Sequence, residues 1–160
     1  MTAPPGQQPF IGVVSDTHGH YDPQLDDVLA GAVHIVHAGD VGYGVIPRLG
    51  ALAPLTVVAG NTDLPGAAEA ELPWEAQVEV AGRRIIVCHI YQSLMGRHDP
   101  VLEGFDLVVV GHSHKDKVEW RAGTLFLNPG SAGRARFGKP RTCARVRLTD
   151  PLEPETVTLD

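Results

Sequence analysis

Several short apolar runs in the sequence are followed at once by side chains that can bind a metal ion. These side chains are carboxylates, imidazoles and an amide, interspersed with glycines. They stand in Asp16-Thr17-His18, Gly39-Asp40, Gly60-Asn61-Thr62-Asp63, His89 and Gly111-His112-Ser113-His114. Oxygen and imidazole nitrogen ligands suit Mn, Fe or Zn. A single D-x-H or H-x-H pair is a weak signal, but the repetition of such segments at the ends of runs predicts a metal site.

The apolar runs that precede these segments are short and β-branched, which predicts strands. In an open α/β sheet the carboxyl ends of the strands line the crevice that binds ligands, so we expect the segments to converge. We also expect the pairs Asp16 with His18, and His112 with His114, to lie in extended backbone. Residues two apart in such backbone point to the same side.

The order of elements predicts an α/β protein with two packed mixed β-sheets flanked by helices. Strands are expected over 10–14, 33–36, 55–59, 78–80, 85–88, 107–110, 118–120, 124–127, 144–148 and 156–159. Helices are expected over 23–30, with Asp22 as N-cap, and over 45–52. Ala122-Gly123 is typical of a hairpin turn. We expect a flexible tail over 1–9 and a single domain over 10–160.

Composition argues against some classes of partner. The formal net charge is −6 and the pI is about 5.7, which disfavours a nucleic-acid polymer. A small anionic substrate fits only if metal ions supply the positive charge.

Cys88 and Cys143 suggest neither a disulfide framework nor a thiolate zinc site. Neither a signal peptide nor a membrane span is apparent, so a cytoplasmic protein is expected. The sequence leaves open whether the chain forms a homo-oligomer.

The quoted segments resemble the pattern D-x-H, G-D, G-N-x-D, H and G-H-x-H of the calcineurin-like metallophosphoesterases. Within that superfamily the sequence is similar to the small bacterial and archaeal phosphodiesterases related to YfcE, over about residues 10–148. The resemblance implies a four-layer α-β-β-α sandwich. It also implies two divalent metal ions, expected to be Mn, with Ni, Fe and Zn as alternatives.

The resemblance also implies how the residues divide the work. One ion would be held by Asp16, His18 and His114, and the other by Asn61, His89 and His112. The carboxylate of Asp40 would bridge both ions. Asp40, Asn61 and His89 are the residues expected to act in catalysis. The implied reaction is attack of a metal-bound hydroxide on a small-molecule phosphate ester, most directly a diester.

Two departures from the family pattern bear on activity. Many relatives carry a His after the Asn, where it can protonate the leaving oxygen, but this chain has Thr62. A Thr hydroxyl is no general acid near neutral pH, so we expect activated esters to be preferred and Thr62 itself to matter little. His89 is followed by Ile90-Tyr91 in place of the frequent G-H. The alternative function is a non-catalytic metal-binding scaffold, as in the retromer subunit of the same superfamily.

Other polar residues have simpler interpretations. His37 lies in an apolar run and is expected to be a core histidine, while Asp63 is expected to cap a helix or orient a ligand. Residues 128–131 are either a loop that binds an anion or, as we favour, a tight turn. The basic residues that follow either attract an anionic substrate or form a solvated loop. They are Arg134, Arg136, Lys139 and Arg141.

Overall fold

The structure is a computed structural model that describes residues 8–135 and 138–160. Its first half contains the elements β1 (Phe10–Val14), α1 (Gln24–Val28), β2 (His34–His37), α2 (Ile46–Gly50), β3 (Leu55–Val57), β4 (Glu75–Val80) and β5 (Arg83–Cys88). The second half contains α3 (Tyr91–Met95), β6 (Leu107–Val109), β7 (Lys117–Arg121), β8 (Thr124–Asn128), β9 (Arg141–Arg147) and β10 (Glu153–Leu159).

The strands form two five-stranded mixed sheets. The first has the order β10-β9-β1-β2-β3, with β1, β2 and β3 parallel and with β9 and β10 antiparallel. The second has the order β4-β5-β6-β8-β7, with a parallel centre and antiparallel edge strands. The parallel strands β1 to β3 form a βαβ core, because α1 and α2 connect them in sequence.

Three apolar clusters divide the molecule into four layers. Val13 and Val36 of the first sheet pack against Leu107 and Leu125 of the second. The outer face of the first sheet is covered by α1 and α2, and the outer face of the second by α3. This arrangement is the expected α-β-β-α sandwich.

Two tight hairpins build the antiparallel edges of the second sheet. Ala81-Gly82 connects β4 to β5, and Ala122-Gly123 connects β7 to β8. All four residues have positive φ, of 50° and 80° in the first turn and 47° and 88° in the second. Two consecutive positive φ values give the backbone twist that a two-residue hairpin needs. The second turn was expected from the sequence.

The helices differ from the expectation. α1 and α2 are each five residues long and therefore shorter than the predicted 23–30 and 45–52. The N-cap residue of α1 is Pro23, without a side-chain cap, and the expected N-cap Asp22 lies one residue earlier, where its Oδ1 accepts a hydrogen bond of 2.8 Å from the Gln24 N–H. α3 was not predicted, because its five residues carry no side-chain cap and are too few to show a helical period.

The predicted tail lies largely outside the described residues, since the structure describes the chain only from residue 8 onward. Pro9 is tied to the first sheet, because its carbonyl accepts a hydrogen bond of 2.8 Å from Leu148 N–H. Over the described residues, the helices are all too short and too polar to cross a membrane.

The core between the sheets gives a direct test of this packing. Leu107 is fully buried, so Leu107→Ala should lower the free energy of unfolding by about 2–5 kcal/mol. Leu102, which is 85% exposed, provides the matched control, and Leu102→Ala should change stability by less than about 0.5 kcal/mol. Chemical denaturation followed by circular dichroism measures both. Equal effects of the two substitutions would contradict the two-sheet core.

Candidate metal centre

The loops after β1 and β2 are joined by backbone hydrogen bonds that bring Asp16, His18 and Asp40 together. Asp16 N–H donates to the Gly39 carbonyl at 3.0 Å, and His18 N–H donates to the Asp40 carbonyl at 2.8 Å. The pairing continues the parallel register of the two strands beyond their ends. The side chains at the two strand ends therefore share one crevice, as expected.

The backbone at these positions is not extended, which corrects the expectation for Asp16 with His18 and for His112 with His114. The φ values of these four residues are 55°, 47°, 73° and 60°. Asp40 also has a positive φ, of 55°. Asp and His enter this left-handed region more readily than most residues, although each such residue still costs about 1–3 kcal/mol. The ligand pairs thus converge through tight left-handed turns.

The carboxylate of Asp16 is fully buried and uses its two oxygens differently. Its Oδ2 accepts hydrogen bonds from Ser15 Oγ at 2.6 Å and from His112 N–H at 3.1 Å. Within the described part of the chain its Oδ1 has no hydrogen-bond partner, and it lies 3.3 Å from His114 Nε2. One oxygen is anchored and the other faces the imidazoles.

The carboxylate of Asp40 follows the same plan. Its Oδ1 accepts hydrogen bonds from Thr62 N–H at 2.9 Å and from Thr62 Oγ1 at 2.8 Å. Its Oδ2 lies 3.2 Å from His89 Nε2 and 3.8 Å from His18 Nε2. The hydroxyl of Thr62 therefore orients Asp40, a role that sequence reasoning missed. Nothing in the sequence marks it, because the contact joins two different loops.

The imidazoles and carboxylates form two groups whose potential ligand atoms lie within 4.8 Å of one another. The first group is Asp16, His18 and His114, and the second is Asp40, His89 and His112. The first group is the set that the family resemblance implies for one ion, and the second combines His89 and His112 of the other set with Asp40, the expected bridge. Asn61 joins the second group through its Oδ1, which lies 3.2 Å from His112 Nδ1.

The tautomer of His89 is set by a carbonyl group. His89 Nδ1 lies 2.8 Å from the Ala38 carbonyl, so this nitrogen donates and Nε2 is directed at the carboxylates. Burial lowers the pKa of His89, but Asp40 and Asp16 outweigh it and raise that pKa above its usual value. Burial also raises the pKa of Asp40, but His89 and Thr62 together hold that pKa below its usual range.

Two buried polar atoms in this crevice have no hydrogen-bond partner among the described residues. They are Asp16 Oδ1 and His89 Nε2, which lie 3.7 Å apart. Buried polar atoms without partners are rare, since each costs about 1–3 kcal/mol. A divalent cation that accepts lone pairs from oxygen and nitrogen would satisfy both. The donor set therefore fits a metal ion on chemical grounds.

His37 is buried completely and bridges the two ligand loops. Its Nδ1 accepts a hydrogen bond of 3.1 Å from the Gly39 N–H, so its Nε2 carries the proton and donates to Thr17 Oγ1 at 3.0 Å. Thr17 Oγ1 in turn donates to the Val41 carbonyl at 2.7 Å. The expected core histidine thus fixes Thr17, between Asp16 and His18, against the loop that carries Asp40.

Two glycines leave room for the carboxylates. A methyl group at Gly60 would collide with Asp40 Oδ1, and a methyl group at Gly111 would collide with Ser15 Oγ and Asp16 Oδ2. Each carboxylate therefore packs directly on the backbone of a neighbouring strand end. This close approach explains why glycine precedes Asn61 and His112.

The remaining polar candidates support the loops. The carboxylate of Asp63 accepts hydrogen bonds from the N–H groups of Val41, Gly42 and Gly60, so it holds loop backbone and, contrary to the expectation, neither caps a helix nor contacts a ligand side chain among the described residues. Asn128 forms the favoured tight turn: its Oδ1 accepts from Gly130 N–H at 2.9 Å and its Nδ2 donates to the Gly111 carbonyl at 3.1 Å.

The basic residues nearby are mostly committed to other contacts or stand at the surface. Arg141 pairs with Asp22, and Lys139 Nζ donates to the Ser113 carbonyl at 2.7 Å. Arg134 is exposed, and Arg136 lies outside the described residues.

Residues 10–151 match the model of the calcineurin-like phosphoesterase superfamily domain. The chain belongs to this superfamily. It is 32% identical to the probable metallophosphoesterase YsnB of Bacillus subtilis, over 85% of this chain and 82% of that protein.

Solved structures with the same fold include a phosphodiesterase and a vacuolar protein sorting protein. An archaeal phosphodiesterase superposes with a TM-score of 0.70 at 24% identity, over 94% of this chain and 99% of that one. Vps29 of Entamoeba histolytica, solved with Zn²⁺, gives a TM-score of 0.68 at 21% identity over the same shares. At these identities the likeness shows the calcineurin-like fold.

The buried position of His37 makes stability depend on pH. Burial, followed by the charge on His89, lowers the pKa of His37 from 6.5 to about 3. As the pH falls, the unfolded chain binds this proton first, so the stabilisation is complete above about pH 6.5 and declines below it. Between pH 7 and pH 5 the loss from His37 should be about 2 kcal/mol.

The measurement is the free energy of unfolding of the metal-free protein at both pH values. His37→Asn keeps an acceptor near Gly39 N–H, and His37→Gln keeps a donor near Thr17 Oγ1, but neither titrates. In both variants, the part of the pH dependence of the unfolding free energy that comes from His37 should be absent. A slope identical to that of the wild type would show that His37 is protonated in the folded protein.

Proposed function

We propose that the chain is a metal-dependent phosphodiesterase that hydrolyses a small phosphate ester with the help of two divalent cations. The observation that carries the proposal is the shared arrangement of Asp16 and Asp40. Each has one oxygen anchored by two donors and the other directed at imidazole nitrogens. A buried carboxylate with one oxygen left facing the crevice needs a nearby positive charge to offset the cost of its desolvation.

The geometry supports the division of ligands that the resemblance implies. Asp16, His18 and His114 would hold one cation, and Asn61, His89 and His112 the other. Asp40 Oδ2 would be the shared atom in this proposal, since it lies near His18 of the first group and near His89 of the second. Mn²⁺ is the proposed ion, with Ni²⁺, Fe²⁺ and Zn²⁺ as alternatives for the same donors.

Two cations bound by these residues would lower the pKa of a water molecule and neutralise the charge of the phosphoryl oxygens. The chain itself keeps the ligands in place. Thr62 fixes the rotamer of Asp40, and the Ala38 carbonyl fixes the His89 tautomer. His37 and Asp63 hold the loops beneath them. Preorganisation of this kind lets the ligands act without rearrangement during the reaction.

No side chain of the 61–63 loop is a general acid. Thr62 Oγ1 already donates its proton to Asp40 Oδ1, so it cannot donate to a leaving oxygen at the same time. Asp63 is occupied by backbone N–H groups. The leaving group must therefore carry much of its own negative charge, which restricts good substrates to esters of acidic alcohols.

The second candidate is a metal-binding scaffold without catalysis. It is favoured by the Thr at position 62 together with the likeness to Vps29, a vacuolar protein sorting protein. The intact ligand set is compatible with both candidates, since a metal-binding scaffold uses the same ligands, and the match to the phosphoesterase superfamily favours the enzyme. Hydrolysis is the measurement that separates the two.

Hydrolysis of bis(p-nitrophenyl) phosphate by metal-stripped protein should be absent and should return on separate titration with Mn²⁺, Ni²⁺ or Zn²⁺, with Mg²⁺ as comparison. Asp40→Asn should lower kcat/KM by about 100-fold or more, since it removes the charge shared by both cations. Asp27→Asn, at an exposed carboxylate of α1, is the control and should be without effect. A wild type that binds metal but cleaves neither diester nor monoester would favour the scaffold.

Substrate preference tests the missing proton donor. The value of kcat/KM should fall steeply as the pKa of the leaving alcohol rises, from nitrophenyl to alkyl diesters. Thr62→His should raise kcat/KM for alkyl esters relative to kcat/KM for nitrophenyl esters. Thr62→Ala is the matched control, because both variants lose the hydroxyl that binds Asp40 and only His can donate a proton.

A flat dependence on leaving-group pKa in the wild type, with chemistry shown to be rate-limiting, would contradict this account. It would mean that a residue outside the 61–63 loop donates the proton.

A further inference from the structure

A cavity of about 600 Å³ adjoins the metal centre at His112. It lies between α3, the loop after β6 and strand β7, on the outer side of the second sheet. Its walls include Tyr91 and Gln92 of α3, Lys117 and Arg121 of β7, and Phe126 of β8. The volume is in the range of sites that bind small organic ligands, about 300–1,000 Å³. A phosphate ester held at His112 could extend a substituent into it.

One wall of the cavity is a fixed stack of planar groups. The Arg121 guanidinium lies 4.2 Å from the centre of the Phe126 ring. Its Nη1 donates to Tyr91 Oη at 2.7 Å, and its Nε and Nη2 donate to Glu119 Oε2 at 3.0 Å and 2.6 Å. These bonds hold the guanidinium plane in one orientation. A held guanidinium plane next to aromatic rings is a good stacking partner for a flat ring.

The charges around the cavity nearly cancel, so they attract a second anionic group only weakly. Glu119 balances Arg121 and lies 4.0 Å from Lys117 Nζ. Lys115 and Asp116 add one charge of each sign at the rim. The cavity therefore offers apolar and planar surface with polar edges, and little net positive charge.

We infer that this cavity is a subsite for a planar aromatic substituent of the phosphate ester, such as a nucleobase, with Arg121 as the residue that selects it. The inference rests on the proposed function, since it requires the phosphoryl group to lie at the metal centre. Arg121 acts on binding of the substituent and takes no part in bond cleavage. A substrate with a ring in the cavity should bind more tightly than one with a methyl group in its place.

The kinetic test compares two diesters with the same leaving group, thymidine 5′-(p-nitrophenyl phosphate) and methyl p-nitrophenyl phosphate. Arg121→Met keeps an unbranched stem over Phe126 but removes the plane. It should raise KM for the thymidine ester by about 10-fold and leave kcat/KM for the methyl ester within about twofold. Arg147→Met is the matched control on the first sheet, where Arg147 pairs with Glu153 and Glu155, and it should change neither ester.

A second measurement does not depend on activity. Thymidine 5′-monophosphate titrated into ¹⁵N-labelled protein should shift the resonances of the Arg121 Nε–H and of the Gln92 side-chain amide. The Gln92 shift should be lost in Arg121→Met. Shifts confined to residues outside the cavity, or equal effects of Arg121→Met on the two esters, would overturn the subsite. If the wild type cleaves neither ester, the proposed function fails and the titration alone decides the subsite.

Discussion

Two buried carboxylates whose free oxygens face imidazoles are the constraint on which the rest of this structure depends. Asp16 Oδ1 and Asp40 Oδ2 sit in a crevice between two sheets, where desolvation penalises negative charge. The fold compensates part of this penalty with two donors on the opposite oxygen of each carboxylate. The remainder is left to protonated imidazole, such as His89, or to a bound cation. The crevice is thus built for positive charge.

Placing these carboxylates requires backbone that the chain would otherwise avoid. Among the described residues, seven non-glycine residues have positive φ, and five of these are the expected metal ligands Asp16, His18, Asp40, His112 and His114. The other two lie in hairpin turns, where such φ values are ordinary. Strain that is concentrated in this way persists only where the surroundings enforce it. For Asp16, His18 and Asp40, the hydrogen bonds between the β1 and β2 loops, reinforced by His37, enforce it.

The features that the sequence revealed are those that depend on residue type and position along one strand. Apolar runs ending in Asp or His located the strand ends, and parallel pairing then brought the expected ligands together. The expectation from the sequence was wrong where local backbone conformation determines how the side chains are aligned. Extended backbone was expected around Asp16 and His18, because period two is the simplest way to align side chains, and a left-handed turn achieves the same result. The short α3 had too few residues to show a period.

Contacts between loops lay beyond sequence reasoning for a different reason. The bond from Thr62 Oγ1 to Asp40 and the bridge from His37 to Thr17 each join segments about 20 residues apart. Neither residue type predicts such a partner, since Thr and His have many. Only the register between the strands determines which loops meet, and that register is a property of the folded sheet.

The Thr at position 62 differs from the family pattern, and this difference affects both the structure around Asp40 and the supply of a proton. Its N–H anchors Asp40 Oδ1 whatever the side chain, because the backbone supplies that donor. The hydroxyl adds a second donor to the same oxygen, which turns the other oxygen towards His89 and His18. A His here would keep the backbone bond and lose the hydroxyl bond. A Thr at this position therefore holds the Asp40 carboxylate more firmly, whereas a His would offer a proton donor in place of the hydroxyl bond.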